Sequence, residues 1–328
     1  MANQVKTLAD AIRYFSDEQV CIETVAGLKW TNGPECPKCA SKAARQHWLA
    51  TQKRWQCRDC GKQYSVKVGT IFEDSAIKLD KWLTAMWMLA NCKNGVSSYE
   101  VAKAIGVTQK SAWFMLHRIR ESMRDDRKHK FGFGGPVESD EAFIGPNPAK
   151  MNRKQRVKYS IKRGEIGREM GMMGKTAVQG ILDRELRQVR AKVIPTLSRK
   201  VLQKNILDNV TPFAKVYTDA FFSYDGLSKN YVHKVIDHSR EYVRGKVHTQ
   251  GIENFWSLLK RTLRGTYVAV EPFHLDQYLN EQVFRYNNRA TKDNPLTDAD
   301  RFALAVSQVA GKRLTYAELT GKVGETAF

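Results

Sequence analysis

Apolar positions in the first third of the chain recur at helical intervals on either side of a stretch rich in Cys, Gly and basic residues. Residues 7–20 have loosely helical spacing and predict a short helix. Residues 76–92 carry apolar side chains too densely for a one-sided helix, so we expect a largely buried one. A second helical pair follows at 97–103 and 109–120, with Thr108 as the N-cap of the second helix.

After residue 136 the pattern changes to short runs rich in β-branched and aromatic residues, which are typical of strands. These runs are 137–144, 176–182, 189–194, 216–217 and 231–236. Helical patterns separate and follow them at 198–209, 249–264 and 273–289. Three strands in a row, then alternating strands and helices, predict a mixed α/β sheet with helices on its faces, in a chain that is α+β overall.

The glycines and the proline of FGFGGP, residues 131–136, predict a linker between the helical and the strand-rich regions. The predicted organisation is an N-terminal helix (1–20), a cysteine-containing module (21–72), a helical region (76–130), the linker, a mixed-sheet core (137–290) and a helical tail (291–328).

The chain carries 54 Lys and Arg against 34 Asp and Glu, and its formal net charge of +20 favours a polyanionic partner. Its longest uncharged apolar run, 82–92, is shorter than the about 18 residues that a membrane span needs. The N-terminus lacks the basic and apolar segments of an export signal. We therefore expect a cytoplasmic, nucleoid-associated protein with no membrane partner.

Four of the six cysteines have the spacing of a zinc ribbon. Cys36 pairs with Cys39 and Cys57 with Cys60, each across two residues, and 17 residues separate the pairs. We expect the four thiolates to bind one tetrahedral Zn²⁺, and the alternative is that four reduced thiols merely pack. A site with four cysteine ligands is closed, so its role is structural, and it presents nearby Lys and Arg residues to DNA or another partner.

The helical pair that ends at residue 120 fits a helix-turn-helix, which places its second helix in the major groove of DNA. Gln109, Lys110 and Ser111 begin that helix and are the predicted DNA contacts. The alternative is an ordinary helical hairpin without a role in DNA binding.

Acidic residues occur on elements that are otherwise apolar. On the strand 137–144, Glu138 and Asp140 share one face because side chains alternate, and Glu141 points to the other face. Asp219 closes another strand-like run, where the end of a sheet can hold a carboxylate over a site.

The helix 249–264 carries a polar stripe formed by Glu253, Ser257, Lys260 and Arg264. At about 100° per residue, these positions fall within roughly 60° of one another, so one acid and two cations face the same place.

Two aspartates and a glutamate from separate elements can hold two divalent ions about 4 Å apart, and hard carboxylate oxygens suit Mg²⁺ or Mn²⁺. In this hypothesis Asp140, Asp219 and Glu253 bind the ions for phosphodiester chemistry, and Lys260 and Arg264 neutralise phosphates beside the cut. The alternative treats the aspartates as turn or cap residues and Glu253 as a partner of solvated basic neighbours.

Residues 148–168 contain eight Lys or Arg against one acid, and Arg153 and Lys154 among them are predicted to contact a nucleic-acid backbone. The alternative is a solvated loop. GMMGKT at 171–176 resembles the end of a phosphate-binding loop, but it lacks the first glycine and precedes a strand-like run, so we discard ATP binding.

Taken together, these stretches resemble bacterial insertion-sequence transposases of the ISXO2-like class, with a zinc ribbon and a DDE core. The resemblance covers about residues 20–310, and the segments that carry it are CPKC, CRDCGKQYSV, VESDEAFIG, VYTDAFFSYDGL, HTQGIENFWSLLKRTLRGTY and FRYNNR. It is specific because of their order, the 34-residue step from Asp219 to Glu253, and Lys260 seven residues further.

The resemblance implies an RNase H-like fold in which Asp140, Asp219 and Glu253 bind two Mg²⁺ ions, and Lys260 accompanies them. Glu253 is preferred to its neighbour Asn254 as the third ligand because it is charged.

The activity implied is cutting at the terminal inverted repeats of an element and joining the 3′-hydroxyls to target DNA, by a homodimer or larger assembly that pairs two ends. Two alternatives remain: a non-catalytic zinc-ribbon DNA-binding regulator, and a metal-dependent nuclease without strand transfer. A regulator has no need of three converging acids.

Overall fold

The computed structural model describes residues 5–146, 151–154, 156–157, 174–237, 243–292 and 294–322. The chain divides into two compact units. The first comprises Met1–Arg124 and Asn288–Phe328, and the second comprises Asp125–Asn287. Within the described residues, no helix is both long and apolar enough to cross a membrane.

The first unit begins with two helices, α1 (Leu8–Tyr14) and α2 (Glu18–Lys29). Thr7 caps α1 with a reciprocal capping box, and the Asp17 carboxylate accepts a hydrogen bond from the backbone at the start of α2. The spacing predicts one helix over residues 7–20 and a cysteine module from residue 21. The chain instead forms two helices, because Asp17 caps a second one that runs well past residue 20.

A small three-stranded antiparallel sheet follows, formed by β1 (Gln46–Leu49), β2 (Arg54–Cys57) and β3 (Gln63–Tyr64) in that order. Its core is built of cysteine and aromatic side chains, namely Cys36, Cys57, Tyr64, Trp30 and Trp55. A core of this size is too small to hold a fold without a metal or disulfides.

Three helices continue the first unit: α3 (Leu79–Asn91), α4 (Ser98–Ile105) and α5 (Gln109–Ser122). Most side chains of α3 are buried, as its dense apolar pattern predicts. Gly106 ends α4 with a left-handed φ of 63°, and the Thr108 side chain accepts a hydrogen bond from the backbone of α5, which confirms it as the N-cap.

The second unit is built on a five-stranded sheet with the order β6-β5-β4-β7-β8. β5 is antiparallel to both β4 and β6, whereas β4, β7 and β8 run parallel to one another. The strands are β4 (Val137–Ile144), β5 (Thr176–Asp183), β6 (Gln188–Val193), β7 (Lys215–Asp219) and β8 (Val232–Ile236). The predicted mixed sheet is confirmed, with β4 at its centre.

Helices cover both faces of this sheet. They are α6 (Arg199–Asn209), α7 (Gln250–Thr262) and α8 (Leu275–Asn287). Val178 and Leu182 of β5 pack with α7 and α8 on one face, and Ile181 packs with α6 on the other, as the alternation of a strand requires. A π-helical turn, Leu263–Tyr267, continues α7.

The domain boundary in the structure differs from the predicted linker at 131–136. The second unit begins at Asp125, and Phe131 is fully buried in the same core as α6. The glycines of FGFGGP therefore shape a turn within the second unit, and the boundary between the two units lies earlier, before Asp125.

After the second unit, the chain returns to the first. Helix α9 (Asp298–Ser307) packs on α3, where Phe302 is fully buried against Phe15 and Trp87, and α10 (Tyr316–Thr320) follows. The sequence predicts a separate tail at 291–328. The structure instead uses α9 as part of the first core, because its apolar face is covered by residues from the start of the chain.

Helix α7 lies close against β5 because Gly180 has no side chain. A Cβ at Gly180 would lie 2.6 Å from the Trp256 ring and 2.8 Å from the end of Ile252, closer than real Cβ contacts allow. Gly180 is also the residue paired with Asp140 across the β4–β5 ladder. The spacing between the sheet and α7 at this point therefore depends on a glycine.

We predict that Gly180→Ala lowers the free energy of unfolding of the second unit by about 1–3 kcal/mol, because the buried indole of Trp256 must move. Urea denaturation followed by circular dichroism measures this. Gly265→Ala is the matched control, since a Cβ there meets nothing within 4 Å. Equal midpoints for the two variants would show that α7 accommodates the methyl group without strain.

Candidate functional site

The four cysteines of the first unit form one cluster, in which all sulfur atoms lie within 4.8 Å of one another. The sulfurs of Cys36 and Cys60 are 3.6 Å apart, as are those of Cys39 and Cys57. Tetrahedral Zn²⁺ with Zn–S bonds of about 2.3 Å needs sulfurs roughly 3.8 Å apart. The cluster therefore has the dimensions of the structural zinc site that the spacing predicts.

Both cysteine pairs adopt the same turn. The backbone amide of Ala40 donates to the Cys36 carbonyl, and that of Gly61 donates to the Cys57 carbonyl, each at 2.9 Å. Ala40 and Gly61 both have positive φ, of 57° and 70°. Glycine adopts this conformation readily, whereas Ala40 takes it without that advantage.

Hydrogen bonds favour the thiolate form at two of the four cysteines, whereas at Cys60 a backbone hydrogen bond from Lys62 is outweighed by burial and by the neighbouring sulfurs, which raise the pKa to about 12. Burial opposes ionisation of Cys57, but hydrogen bonds from the backbone amides of Cys60 and Asp59 outweigh it and lower its pKa to about 6. A hydrogen bond from Ser41 likewise lowers the pKa of Cys39. The sulfurs of Cys57 and Cys39 therefore lose their protons more readily, as metal ligands must.

In the second unit, Asp140 lies on the central strand and faces α7. Its carboxylate accepts a hydrogen bond of 3.0 Å from the indole Nε1 of Trp256. Burial raises the pKa of Asp140 to about 6, and repulsion by Asp219 and Glu253 adds to the effect. Asp219 and Glu253, which belong to two other elements, thus both act on Asp140.

The strand register explains why Asp219 is close. β4 and β7 are parallel, and Glu138 pairs with Tyr217. Two residues further along each strand are Asp140 and Asp219, at corresponding positions of neighbouring strands. Glu253 reaches the same region from the first turn of α7, where it accepts a hydrogen bond of 2.7 Å from the Thr249 hydroxyl.

A cleft of about 510 Å³ opens beside Asp140 and Glu253. It is lined by Asp140, Glu141, Glu253, Trp256, Ser257, Lys260, Arg261 and Arg264. The side chains of the polar stripe predicted for this helix therefore do line a single cleft. Asp219 does not belong to this lining. Among the residues that the structure describes, only the four cysteines form a group of three or more side chains that is close enough to hold one metal ion. The carboxylates are more widely spaced than the sulfurs.

Glu141 is a residue of this region to which the sequence assigned no role. Its carboxyl group is hydrogen-bonded to the phenol of Tyr224, on the face of β4 away from α7. Burial raises the pKa of Glu141 to about 8, and repulsion by Asp140 and Asp219 contributes. A strand pattern shows which face a residue occupies, but the depth of burial depends on Tyr224, 83 residues away.

The residues at the start of α5 that are predicted to contact DNA interact with other side chains of the first unit. Gln109 donates to the Ser98 hydroxyl at 2.8 Å, the hydroxyls of Thr108 and Ser111 are 2.9 Å apart, and the Lys110 ammonium lies 5.3 Å from the ring of Tyr316. From Met115 to Ser122 the helix is buried. The accessible part of α5 in this unit is therefore its N-terminal part, residues 109–114.

Arg153 and Lys154 are exposed, as expected for backbone contacts. Residues 147–150, 155 and 158–173, which include most of the basic segment and the first half of GMMGKT, lie outside the described residues. Thr176 begins β5, so a strand does follow the GKT sequence, in agreement with the rejection of a phosphate-binding loop.

Comparison with known proteins identifies the class. Residues 16–63 match the transposase zinc-ribbon domain, and residues 132–287 match the ISXO2-like transposase domain. An uncharacterized protein in transposable element ISH50 of Halobacterium salinarum is 27% identical over 258 residues, which cover 77% of this chain and 85% of that protein. An uncharacterized transposase-like protein of Haemophilus influenzae is 34% identical over 106 residues, which cover 32% of this chain and 85% of that protein. The chain belongs to the ISXO2-like family of insertion-sequence transposases, as the resemblance indicates.

We predict that Asp140→Asn stabilises the protein at pH 7 in Mg²⁺-free buffer that retains zinc. The pKa of Asp140, about 6, is above the ordinary value of about 3.9, so the folded state binds its proton more tightly and loses stability as pH rises from about 4 to about 6. Removing the charge should recover on the order of 2 kcal/mol at pH 7 and little at pH 4.

Urea unfolding at both pH values checks this expectation. Asp208→Asn, at an exposed position on α6, serves as the control, and its midpoint should not rise. An Asp140→Asn variant that is less stable than the parent at pH 7 would mean that the carboxylate is not repelled as described.

Proposed function

We propose that this transposase cuts and joins DNA strands at the ends of its element, and that Asp140, Asp219 and Glu253 hold two Mg²⁺ or Mn²⁺ ions for this reaction. The observation that carries the proposal is the partly buried Asp140, whose pKa is raised by burial and by two further acids, beside a cleft lined by cations. Such repulsion costs stability unless a cation relieves it, and perturbed acids in a cleft mark a reactive site.

The residues fit divalent metal. Carboxylate oxygens are the ligands that Mg²⁺ and Mn²⁺ prefer, and the acids come from a central strand, a neighbouring strand end and a helix. When bound, two such ions lower the pKa of the attacking water or 3′-hydroxyl and stabilise the leaving oxygen. The strand order and the placement of the acids support the RNase H-like fold that the resemblance implies.

The protein's own groups position the acids. The Trp256 indole holds one oxygen of Asp140, the Thr249 hydroxyl holds Glu253, and the backbone amide of Phe221 donates to Asp219 at 3.2 Å. Each bond leaves further lone pairs of the carboxylate for a metal. Acids fixed in this way do not have to be ordered when metal and DNA arrive.

Cations of α7 and its π-helical extension complete the site on the DNA side. Lys260, Arg261 and Arg264 line the same cleft as Asp140 and Glu253. We propose that they contact phosphates flanking the reacting bond, which places a negatively charged backbone next to three acids without prohibitive repulsion. Arg153 and Lys154 extend this basic surface along the DNA.

DNA recognition is assigned to the first unit. We propose that the zinc ribbon and the first turn of α5, with Gln109, Lys110 and Ser111, contact the terminal inverted repeats. Since Lys110 lies against Tyr316, α10 is part of that surface. Pairing of two element ends requires at least a homodimer in the active assembly.

The test incubates the protein with labelled DNA from both flanks of its own gene in Mg²⁺ or Mn²⁺. We expect nicks at specific 3′ ends and joined products. Asp219→Asn should bind the same DNA but cut it at least about 100-fold more slowly, because metal charge stabilisation is worth several kcal/mol.

The control for this test is Asp225→Asn, a change of an exposed acid in the same unit, which should cut normally. Cutting without joining would favour a nuclease, and specific binding without cutting in either metal would favour a regulator. Undiminished cutting by Asp219→Asn would refute the metal-binding role.

A second prediction concerns Lys260. If its ammonium contacts a phosphate, Lys260→Ala should weaken binding to all DNA sequences alike and reduce the slope of log affinity against log salt by about one. Fluorescence anisotropy over a salt series measures both. Lys229→Ala removes an exposed lysine outside the cleft and should leave the slope nearer to the wild-type value; identical slopes for the two variants would exclude the contact.

A further inference from the structure

Glu138 is a fully buried acid on the central strand, two residues before Asp140 and on the same face. Its carboxylate accepts a hydrogen bond of 2.5 Å from the guanidinium Nε of Arg184 and one of 2.8 Å from the backbone amide of Ile252. An acid that is completely removed from water needs such partners. Both partners lie on other elements, so the contact joins β4 to the turn after β5 and to α7.

The contact with Ile252 caps α7 from outside the helix. The N-cap residue of α7, Thr249, makes no side-chain capping hydrogen bond, and its hydroxyl donates to Glu253. The amide of Ile252 in the first turn is satisfied by Glu138, and the negative charge there also complements the positive end of the helix dipole. The strand therefore supplies the cap that the helix's own sequence lacks.

Gly251 makes this approach possible. A Cβ at that position would lie 2.9–3.2 Å from the carboxyl group of Glu138, closer than ordinary contact permits. Glycine is unfavourable inside a helix by roughly 1 kcal/mol relative to alanine. Its presence in the first turn of α7 is explained by the carboxylate beside it.

Arg184 extends the contact to the segment that leads into α7. Its guanidinium donates to the carbonyls of Lys246 and His248 at 2.7 and 2.6 Å, and one Nη lies 2.8 Å from the His248 ring nitrogen Nδ1. The same guanidinium forms the ion pair with Glu138. We call this group of contacts the α7 clamp. It consists of Glu138, Arg184, Gly251 and the Ile252 amide.

We propose that Glu138 is a positioning residue, and that the α7 clamp sets the spacing between Asp140 and Glu253 and thereby the affinity for divalent metal. This inference rests on the proposed function. Asp140 follows Glu138 by two residues in a strand, and Glu253 directly follows the amide that Glu138 holds. Displacing the Glu138 carboxylate therefore moves one predicted ligand relative to the other without touching either.

The discriminating variant is Gly251→Ala in the full-length, zinc-loaded protein. The added methyl group pushes against the Glu138 carboxylate but favours helix formation, so the fold should persist. We expect the dissociation constant for Mn²⁺, measured from the electron paramagnetic resonance signal of free Mn²⁺, to rise about tenfold or more, as for other groups that support metal ligands. Glu138→Gln, which keeps an acceptor but removes the charge, should act in the same direction.

A purely structural role would change stability and leave metal affinity alone. The positioning role predicts for Gly251→Ala a loss of Mn²⁺ affinity in protein that is still fully folded, unchanged DNA binding without metal, and cutting restored towards the wild-type rate at saturating Mn²⁺. Gly265→Ala, with open space around its Cβ, is the control and should bind Mn²⁺ normally.

Two outcomes would overturn the proposal, and they differ in whether the proposed function also fails. If wild type binds Mn²⁺ and Gly251→Ala binds it equally well, the clamp does not set the metal site, although the proposed function stands. If wild type binds no Mn²⁺ beyond what Asp140→Asn binds, the proposed function and the clamp both fail.

Discussion

The docking of α7 onto the central part of the mixed sheet is the constraint on which the candidate active site depends. Asp140 is held by the strand ladder, and Glu253 and the cations Lys260 and Arg264 are carried by the helix. The two elements are far apart in sequence, so nothing local relates them. Their spacing comes from Gly180 beneath Trp256, from the indole bond to Asp140, and from Glu138 at the start of the helix.

This arrangement stores electrostatic energy. Asp140 is partly buried near two other acids, and burial and their repulsion raise its pKa, so neutralising it would stabilise the folded protein. Hydrophobic packing of α7 and α8 on the sheet compensates that cost. Such a site makes the fold less stable than a site without acids would, which is the usual relation between a reactive site and its scaffold.

The cysteine cluster applies the same principle in the first unit. Its sulfurs are collected by two turns of identical hydrogen bonding, around a core of a few aromatic side chains. Here the metal replaces a hydrophobic core that the segment is too short to form. In both units, the backbone brings together side chains that repel one another when they are ionised.

Local patterns predicted much of this protein. The alternation in residues 137–144 identified β4, and the helical stripe placed Glu253, Ser257, Lys260 and Arg264 on one face of α7, because both periodicities act between near neighbours in sequence. The return of α9 to the first unit was not predictable in this way, since it depends on Phe302 meeting residues from the start of the chain. The same holds for the buried part of α5 and for Glu141, whose surroundings are set by contacts distant in sequence.

Anomalous diffraction from crystals of the zinc-loaded protein soaked in Mn²⁺ would reveal whether the acids of β4, β7 and α7 bind divalent metal, because Mn²⁺ and Zn²⁺ can be distinguished by wavelength. We expect two Mn²⁺ peaks about 4 Å apart, contacted by Asp140, Asp219 and Glu253. Well-ordered carboxylates with no Mn²⁺ peak between them, or Mn²⁺ bound only elsewhere, would contradict this expectation.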